Sequence, residues 1–244
     1  MRLLSIRFLT YGALAGRGKV WVVFVMALIT LVLPLQAQQT RELPLSVVAF
    51  GDSLTQGYGL MDEEGFVPQL RAWLAAQDQD MPDQAVRVVN AGVSGDTTAG
   101  GLSRIEWTLT PDIHAMILAL GGNDVLRGLD PALTRANIEG ILRVAADADI
   151  PVLLVGMQAP GNYGPDFKTE FEAIWPELAD AYGTLYFDSF FRGLGADDPS
   201  AVRQYFQPDG IHPNAEGVTL IVEAMGPAVL DLIAAAQARR AAQD

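Results

Sequence analysis

Short apolar runs alternate with stretches of helical spacing along most of the chain. The predicted strands are Val47–Phe50, Val86–Asn90, Ala115–Leu120, Val152–Met157 and Thr184–Phe187. The predicted helices lie near 66–78, 99–107, 132–147, 167–182 and 214–239. Strands that are apolar on both faces and alternate with helices are typical of a parallel sheet covered by helices on both sides. Because the chain shows no internal repeat, low-complexity tract or interdomain linker, these elements predict one α/β domain.

Small polar residues and glycines collect at one predicted edge of this sheet. Right-handed crossovers bring the carboxyl ends of parallel strands to the same edge, where ligands bind in open α/β sheets. Three such segments follow the first three strands and a fourth precedes the last helix, at 51–54, 90–97, 121–124 and 208–214. Turns explain the glycines, but they do not explain a serine, an asparagine, several aspartates and a histidine at one edge. The sequence therefore predicts a functional site there.

A nucleophile and its base can be assigned at this edge. Ser53 follows the first strand, and its hydroxyl needs a neighbouring base to become a good nucleophile. His212 lies in the loop before the last helix, three residues after Asp209, so the carboxylate can reach the imidazole and orient it. We expect Ser53 to attack, His212 to take the proton and Asp209 to orient His212. His114, at the opposite end of the sheet, is expected to be structural.

The tetrahedral intermediate of such a reaction needs hydrogen-bond donors that are fixed in advance. The backbone N–H groups of Ser53 and Gly92 and the side-chain amide of Asn123 are the predicted donors. Gly92 lacks a side chain, which allows another group to approach its backbone closely.

Four blocks of the sequence resemble, in chain order, those of the SGNH (GDSL) hydrolases. The blocks are Phe-Gly-Asp-Ser-Leu at 50–54, Asn-Ala-Gly-Val-Ser-Gly-Asp-Thr at 90–97, Leu-Gly-Gly-Asn-Asp at 120–124 and Asp-Gly-Ile-His-Pro-Asn at 209–214. The serine, glycine, asparagine and histidine that give the SGNH family its name match Ser53, Gly92, Asn123 and His212. Asp209 matches the acidic residue of the family's catalytic triad. The resemblance covers residues 45–225. It implies a three-layer α/β/α sandwich with a flavodoxin-like sheet of five parallel strands in the order 2-1-3-4-5, and no cofactor.

Two loops are similar to those of one branch, the periplasmic thioesterases, arylesterases and lysophospholipases. Residues 120–129 look like the mobile loop of that branch, and residues 159–164 look like its substrate-flanking loop. The substrate-binding residues that this similarity implies are Asp124, Leu126, Pro160 and Tyr163. Two alternatives stay open. Asp124, like Asp52 and Asp96, can instead accept hydrogen bonds from backbone N–H groups of its own turn. Leu126 and Tyr163 can serve ordinary loop packing instead.

The amino end has the order of a secretory signal. Residues 1–19 carry four basic residues and no acidic one, an apolar run follows from Val20 to Leu35, and Ala37 precedes a polar stretch. We expect residues 1–37 to be a signal peptide and residues 38–244 to be the hydrolase domain, exported to the periplasm. An uncleaved signal anchor is the alternative, because the apolar run nearly reaches membrane-spanning length.

The charge of the chain limits its partners. Removing residues 1–37 changes the net charge from −13 to −17. Coulomb repulsion then opposes nucleic acid and anionic membranes, so we expect neither a nucleic-acid partner nor stable membrane insertion after the signal is removed. The expected partner is a small-molecule ester or a lipid substrate. The chain has no cysteine, which excludes a thiol nucleophile.

These observations favour a secreted serine esterase that hydrolyses acyl or aryl esters through an acyl-enzyme intermediate. With the same site, the chain could be an acyl-CoA thioesterase, a lysophospholipase, a carbohydrate O-deacetylase or an acyltransferase. A metal phosphoesterase would explain the aspartates, but one histidine at this edge makes a poor site for two metals. A non-catalytic binding module is the remaining alternative.

Overall fold

The computed structural model describes residues 44–77, 86–195 and 202–243; the predicted signal peptide, residues 1–37, lies outside them. Five parallel strands form one sheet in the order β2-β1-β3-β4-β5, which confirms the predicted topology. The strands are β1 (Leu45–Gly51), β2 (Val86–Gly92), β3 (Ala115–Ala119), β4 (Val152–Val155) and β5 (Leu185–Phe187).

Helices flank the strands as the spacing predicts. They are α1 (Ser53–Gln56), α2 (Phe66–Gln77), α3 (Thr98–Thr108), α4 (Gly122–Leu126), α5 (Pro131–Asp147), α6 (Pro165–Tyr182) and α7 (Ala215–Gln243). Single 3₁₀ turns span Asp62–Glu64, Gly161–Tyr163, Arg192–Leu194 and Arg203–Tyr205. Helix α5 packs on α3 and α6, while α2 packs on α7, so the two groups cover the two faces of the sheet. The sequence pattern missed only the short helices α1 and α4, which have too few residues to show a helical period.

The three strands at the centre of the sheet position the polar segments of the predicted site. All seven residues of β1 are buried, and β1 pairs with β2 on one side and β3 on the other. Gly51 lies in register with Gly92 of β2 and Ala119 of β3. Because the three strands end at the same level, the polar segments that follow them begin side by side.

Helix α7 is long and apolar enough to cross a membrane by length and composition. In the structure one of its faces instead packs in the core of the domain. The buried residues of that face are Gly217, Val218, Ile221, Val222, Met225, Gly226, Val229, Leu232, Ile233 and Ala236. At Gly226 the Trp73 ring of α2 lies so close that a Cβ would be 2.6 Å from it. The apolar composition of α7 therefore serves packing against the sheet and α2.

Candidate active site

Ser53 is held by a tight turn at the end of β1. A Cβ on Gly51 would lie 2.0 Å from Thr55 Oγ1 and 2.7 Å from the Ala119 carbonyl oxygen, so only glycine fits there. The Asp52 carboxylate then caps α1, accepting the Leu54 N–H at 3.0 Å. Ser53 is the first residue of α1, where backbone N–H groups have no partner within the helix.

Ser53, His212 and Asp209 form one hydrogen-bonded chain. Ser53 Oγ lies 2.9 Å from His212 Nε2, and Asp209 Oδ2 lies 2.7 Å from His212 Nδ1. The three residues predicted as nucleophile, base and orienting carboxylate are thus in contact across 159 positions of sequence. This arrangement can carry a proton from the hydroxyl to the imidazole while the carboxylate fixes the tautomer.

The Asp209 carboxylate is fixed by several donors at once. Besides the imidazole, it accepts the N–H groups of Ile211 at 2.9 Å and of His212 at 3.0 Å. These hydrogen bonds, the His212 ring first, lower the Asp209 pKa to about 2. Asp209 therefore stays ionised near neutral pH, opposite the imidazole.

The backbone and an aromatic ring support the imidazole. The His212 carbonyl accepts the Gln207 N–H at 2.8 Å, and Phe206 and Pro213 pair as an isolated antiparallel bridge. The Tyr58 ring lies against the His212 ring with centroids 4.7 Å apart. Tyr58 was not singled out in the sequence, because a tyrosine after a short turn carries no signal of this contact.

Asn123 lies near Ser53 because Gly121 turns the chain. Gly121 has a φ of +116°, and a Cβ there would lie 2.7 Å from the buried Trp175 ring. Helix α4 begins at the next residue, and Asn123 lines the same cavity as Ser53 and His212. Its Nδ2 donates to Asp52 Oδ2 at 3.4 Å. The structure thus brings the predicted amide donor to the site.

Gly92, predicted as an oxyanion donor, has other partners. Its N–H donates to Asn90 Oδ1 at 2.9 Å, and Gly92 is not among the residues that line the cavity. A Cβ at this position would lie 2.3 Å from the Gln56 nitrogen, so the glycine is needed for close packing of β2 on α1. The structure therefore does not support the assignment of Gly92 as a donor.

A second glycine of the same block, Gly95, is linked by a hydrogen bond to the segment that carries Asn123. Gly95 has a φ of +79° in the turn after β2, and its carbonyl accepts Arg127 Nη2 at 2.8 Å. Arg127 follows α4, so this bond joins the Gly95 turn to the segment that carries Asn123. Sequence reasoning missed Gly95 because both glycines of the block look alike without coordinates.

Arg104, also missed, ties the ends of two strands together. Its guanidinium donates to the Gly51 carbonyl at 2.9 Å, to the Ala91 carbonyl at 3.0 Å and to Asp96 at 2.7 Å. It also lies over the Phe50 ring, 3.9 Å from the centroid. Arg104 therefore fixes the level at which β1 and β2 end, and with it the position of Ser53.

Two further aspartates of this edge, Asp96 and Asp124, bind groups of the loops. Asp96 pairs with Arg104, and Asp124, predicted to bind substrate, is 1% exposed. Asp124 accepts the Thr98 N–H at 2.9 Å and the Thr98 hydroxyl at 2.5 Å, and it does not line the cavity. The substrate-binding assignment of Asp124 is therefore wrong, since its oxygens are buried and engaged. Across residues 44–77, 86–195 and 202–243, no three acidic or histidine side chains group as metal ligands.

The pKa of the Asp52 carboxyl is shifted by its surroundings. It is 1% exposed, and burial raises its pKa to about 6, although the Leu54 N–H and the Asn123 amide favour the ionised form. Asp52 therefore changes charge in mildly acidic solution, directly beside Ser53 and Asn123.

An apolar cavity of about 410 Å³ opens beside Ser53. Leu126 and Pro160, which are predicted to bind substrate, line it together with Met157, Phe191, Phe206 and Ile211. Lys168 lies at its edge, donating to the Ala159 carbonyl at 2.9 Å and pairing with Glu172. A cavity of this character suits an acyl chain.

Tyr163, the last residue predicted to bind substrate, does not line this cavity. Its hydroxyl donates to the Leu126 carbonyl at 3.3 Å, and its ring lies 4.9 Å from the Phe167 ring. Tyr163 thus links the two predicted substrate loops to each other. Its contacts agree with the alternative in which Tyr163 serves loop packing.

Known proteins are similar to this chain in sequence and in fold. The sequence pattern of the GDSL-like Lipase/Acylhydrolase family matches residues 49–220. The esterase TesA of Pseudomonas aeruginosa is 36% identical over 83% of this chain and 96% of its own. Thioesterase 1/protease 1/lysophospholipase L1 of Escherichia coli is 32% identical over 77% of this chain and 85% of its own. The solved structure of AlinE4, an SGNH-hydrolase family esterase, is 42% identical, with a TM-score of 0.61 over 78% of this chain and 96% of its own.

The parallel α/β fold and these similarities place the chain in a class of α/β hydrolytic enzymes. This chain is a member of the GDSL-like lipase/acylhydrolase family, the SGNH hydrolases. It is a hydrolase that acts on ester bonds.

Proposed function

We propose that this protein is an exported serine esterase that cleaves carboxylic esters through an acyl-enzyme on Ser53. The observation that carries the proposal is the contact of 2.9 Å between Ser53 Oγ and His212 Nε2. The second support is the apolar cavity beside Ser53, which gives an acyl group a place to bind.

In the first half of the reaction, Ser53 Oγ forms a bond to the ester carbonyl carbon as its proton passes to His212 Nε2. Asp209 stabilises the imidazolium that results. The imidazolium then protonates the alcohol oxygen, the bond from the carbonyl carbon to that oxygen breaks, and the alcohol leaves. Water, activated by the same imidazole, cleaves the acyl-enzyme in the second half and releases the carboxylic acid.

The oxyanion of each tetrahedral intermediate needs donors near Ser53. The Ser53 N–H at the start of α1 and the Asn123 amide are the donors that we assign. Neither glycine lines the cavity, and Gly95 is a better candidate than Gly92 for a third donor because the Gly92 N–H is already bonded to Asn90. Donors held in place before the reaction stabilise the charge without reorganisation, and each contributes roughly 3 kcal/mol to lowering the barrier.

Among related activities, a lysophospholipid or another long-chain ester fits better than a thioester of coenzyme A. Relatives named as esterase, thioesterase and lysophospholipase are similar to this chain in sequence. The chain without residues 1–37 carries a net charge of −17, which opposes a polyanionic thioester. Export, which we infer from the amino-terminal sequence, also separates the enzyme from cytoplasmic acyl-CoA.

Ser53→Ala in the purified enzyme tests the proposal. We expect hydrolysis of p-nitrophenyl octanoate to fall by roughly 10⁴-fold or more, since the nucleophile is removed. A fluorophosphonate probe should label the parent enzyme and leave Ser53→Ala unlabelled. Parent-level hydrolysis by Ser53→Ala would show that another group does the chemistry, and persistent labelling of the variant would contradict the assignment of Ser53.

A further inference from the structure

A second cavity adjoins the one beside Ser53. It has a volume of about 420 Å³, and the two cavities share three lining residues, Gln158, Phe191 and Phe206. The Phe191 and Phe206 rings lie 5.6 Å apart between centroids, tilted by 47°. These two rings therefore form a common wall between the cavities.

The backbone of this wall is fixed, while its rings are only partly buried. The Phe191 N–H donates to Ser189 Oγ at 3.2 Å, and the neighbouring Phe190 is 1% exposed. Phe191 and Phe206 are both half-buried. The Phe191 ring contacts the core through the Phe190 ring, with centroids 5.5 Å apart, and its partly exposed side leaves room for a second rotamer on the fixed backbone.

The second cavity has apolar inner walls. Leu194, which is 7% exposed, and Val202 line it together with the shared rings. Among the described residues that line this cavity, the charged ones are Asp188 and Arg192, which pair with each other at 3.4 Å. Each of those side chains is 59% exposed, so both charges are solvated and neither needs a ligand.

We propose that the two cavities form one divided acyl site, in which the Phe191 ring turns aside to admit the distal part of a long acyl chain. This inference rests on the proposed function, because the carbonyl of that chain must lie at Ser53. The first cavity takes the carbons next to the carbonyl, and the second takes the carbons beyond the wall. The favoured substrates are then esters of long-chain fatty acids.

Chain-length profiles of two variants test this site. Each methylene that leaves water for an apolar site strengthens binding by about fourfold, which corresponds to ~0.8 kcal/mol. Phe191→Ala removes the wall, so we expect the ratio of kcat/KM for p-nitrophenyl palmitate over octanoate to rise by about tenfold or more. Val202 lines only the second cavity, and Val202→Trp in the Phe191→Ala background should return the ratio to within about twofold of the parent value, because the indole fills that space.

Trp107→Ala is the matched control, since Trp107 is 85% exposed and lines neither cavity. Its ratio should equal that of the parent. The proposal is overturned if Phe191→Ala leaves the ratio unchanged, or if the gain survives in the double variant. Phe191→Leu replaces Phe191→Ala if the latter does not fold, with a smaller rise expected.

The outcome for the site is separable from the outcome for the proposed function. If the parent cleaves p-nitrophenyl octanoate but the palmitate-to-octanoate ratio is the same in all variants, the proposed function holds and the second cavity does not bind the acyl chain. An enzyme that cleaves no ester and takes no fluorophosphonate label contradicts both.

Discussion

The two ends of the sheet each contain a histidine, and the two rings do different work. At the carboxyl end, His212 lies between the Asp209 carboxylate and the Ser53 hydroxyl. At the amino end, His114 Nδ1 accepts the Ser46 N–H at 3.0 Å, and burial lowers the His114 pKa. One ring is arranged to exchange a proton, and the other is kept neutral to accept a backbone hydrogen bond. The surroundings, and not the residue type, decide the role.

Replacing each histidine gives the largest expected contrast. We expect His212→Ala to lower kcat roughly 10⁴- to 10⁶-fold, because the general base is lost. His114→Ala should leave kcat within about threefold and reduce the free energy of unfolding by about 1–3 kcal/mol, since the Ser46 N–H loses its acceptor. Ester hydrolysis and urea unfolding measure the two effects. A comparable loss of kcat in both variants would break the comparison between the ends.

Two glycines with positive φ, one at each end of the sheet, also differ in their surroundings. Gly121 has a φ of +116° and lies against Trp175, whereas Gly183, before β5, has a φ of +61° and open space around it. We expect Gly121→Ala to cost about 4 kcal/mol of unfolding free energy from strain and collision, and Gly183→Ala only about 1 kcal/mol from strain. Equal costs in thermal or urea unfolding would show that the Trp175 contact is not tight.

Asn123→Ala sharpens the description of the carboxyl end. Loss of one oxyanion donor should lower kcat by about 10²- to 10³-fold, or ~3 kcal/mol in the barrier, with a small change in KM. Steady-state kinetics with p-nitrophenyl octanoate measure both constants. A rise in KM with unchanged kcat would mean instead that Asn123 only binds the ground state.

Asp52→Asn tests the buried carboxyl through pH. The pKa of Asp52 is raised from 3.8 to about 6, so the folded state binds this proton more tightly than the unfolded state. The resulting stability is fully present below pH 3.8 and is lost as the pH rises to 6 and above, by at most about 3 kcal/mol. The unfolding free energy of the parent minus that of Asp52→Asn should therefore decrease between pH 4 and pH 7. A constant difference across this range would place the Asp52 pKa near its ordinary value.

Local pattern accounts for the secondary-structure elements and for the polar segments of the site, and it fails where the packing of two loops decides which partners a residue has. The five strands and five long helices could be predicted because the spacing of apolar residues and the β-branched residues indicate, within each segment, which side chains are buried. Ser53, His212, Asp209 and Asn123 could be named because each lies in a polar segment at a strand or helix end. Gly92 and Asp124 could not be assigned correctly, since their partners, Gln56 and Thr98, are chosen by how the loops pack.

The sequence by itself determined an α/β sheet, the edge at which its polar segments meet and the kinds of side chain that meet there. These follow from periodicity and strand direction, which each segment carries alone. Only the tertiary structure decided the detailed geometry: the distance of 2.9 Å between Ser53 and His212, the burial of Asp52 and the wall that Phe191 and Phe206 form between two cavities. Those contacts depend on the packing of loops that lie far apart along the chain, and packing is a property of the assembled core.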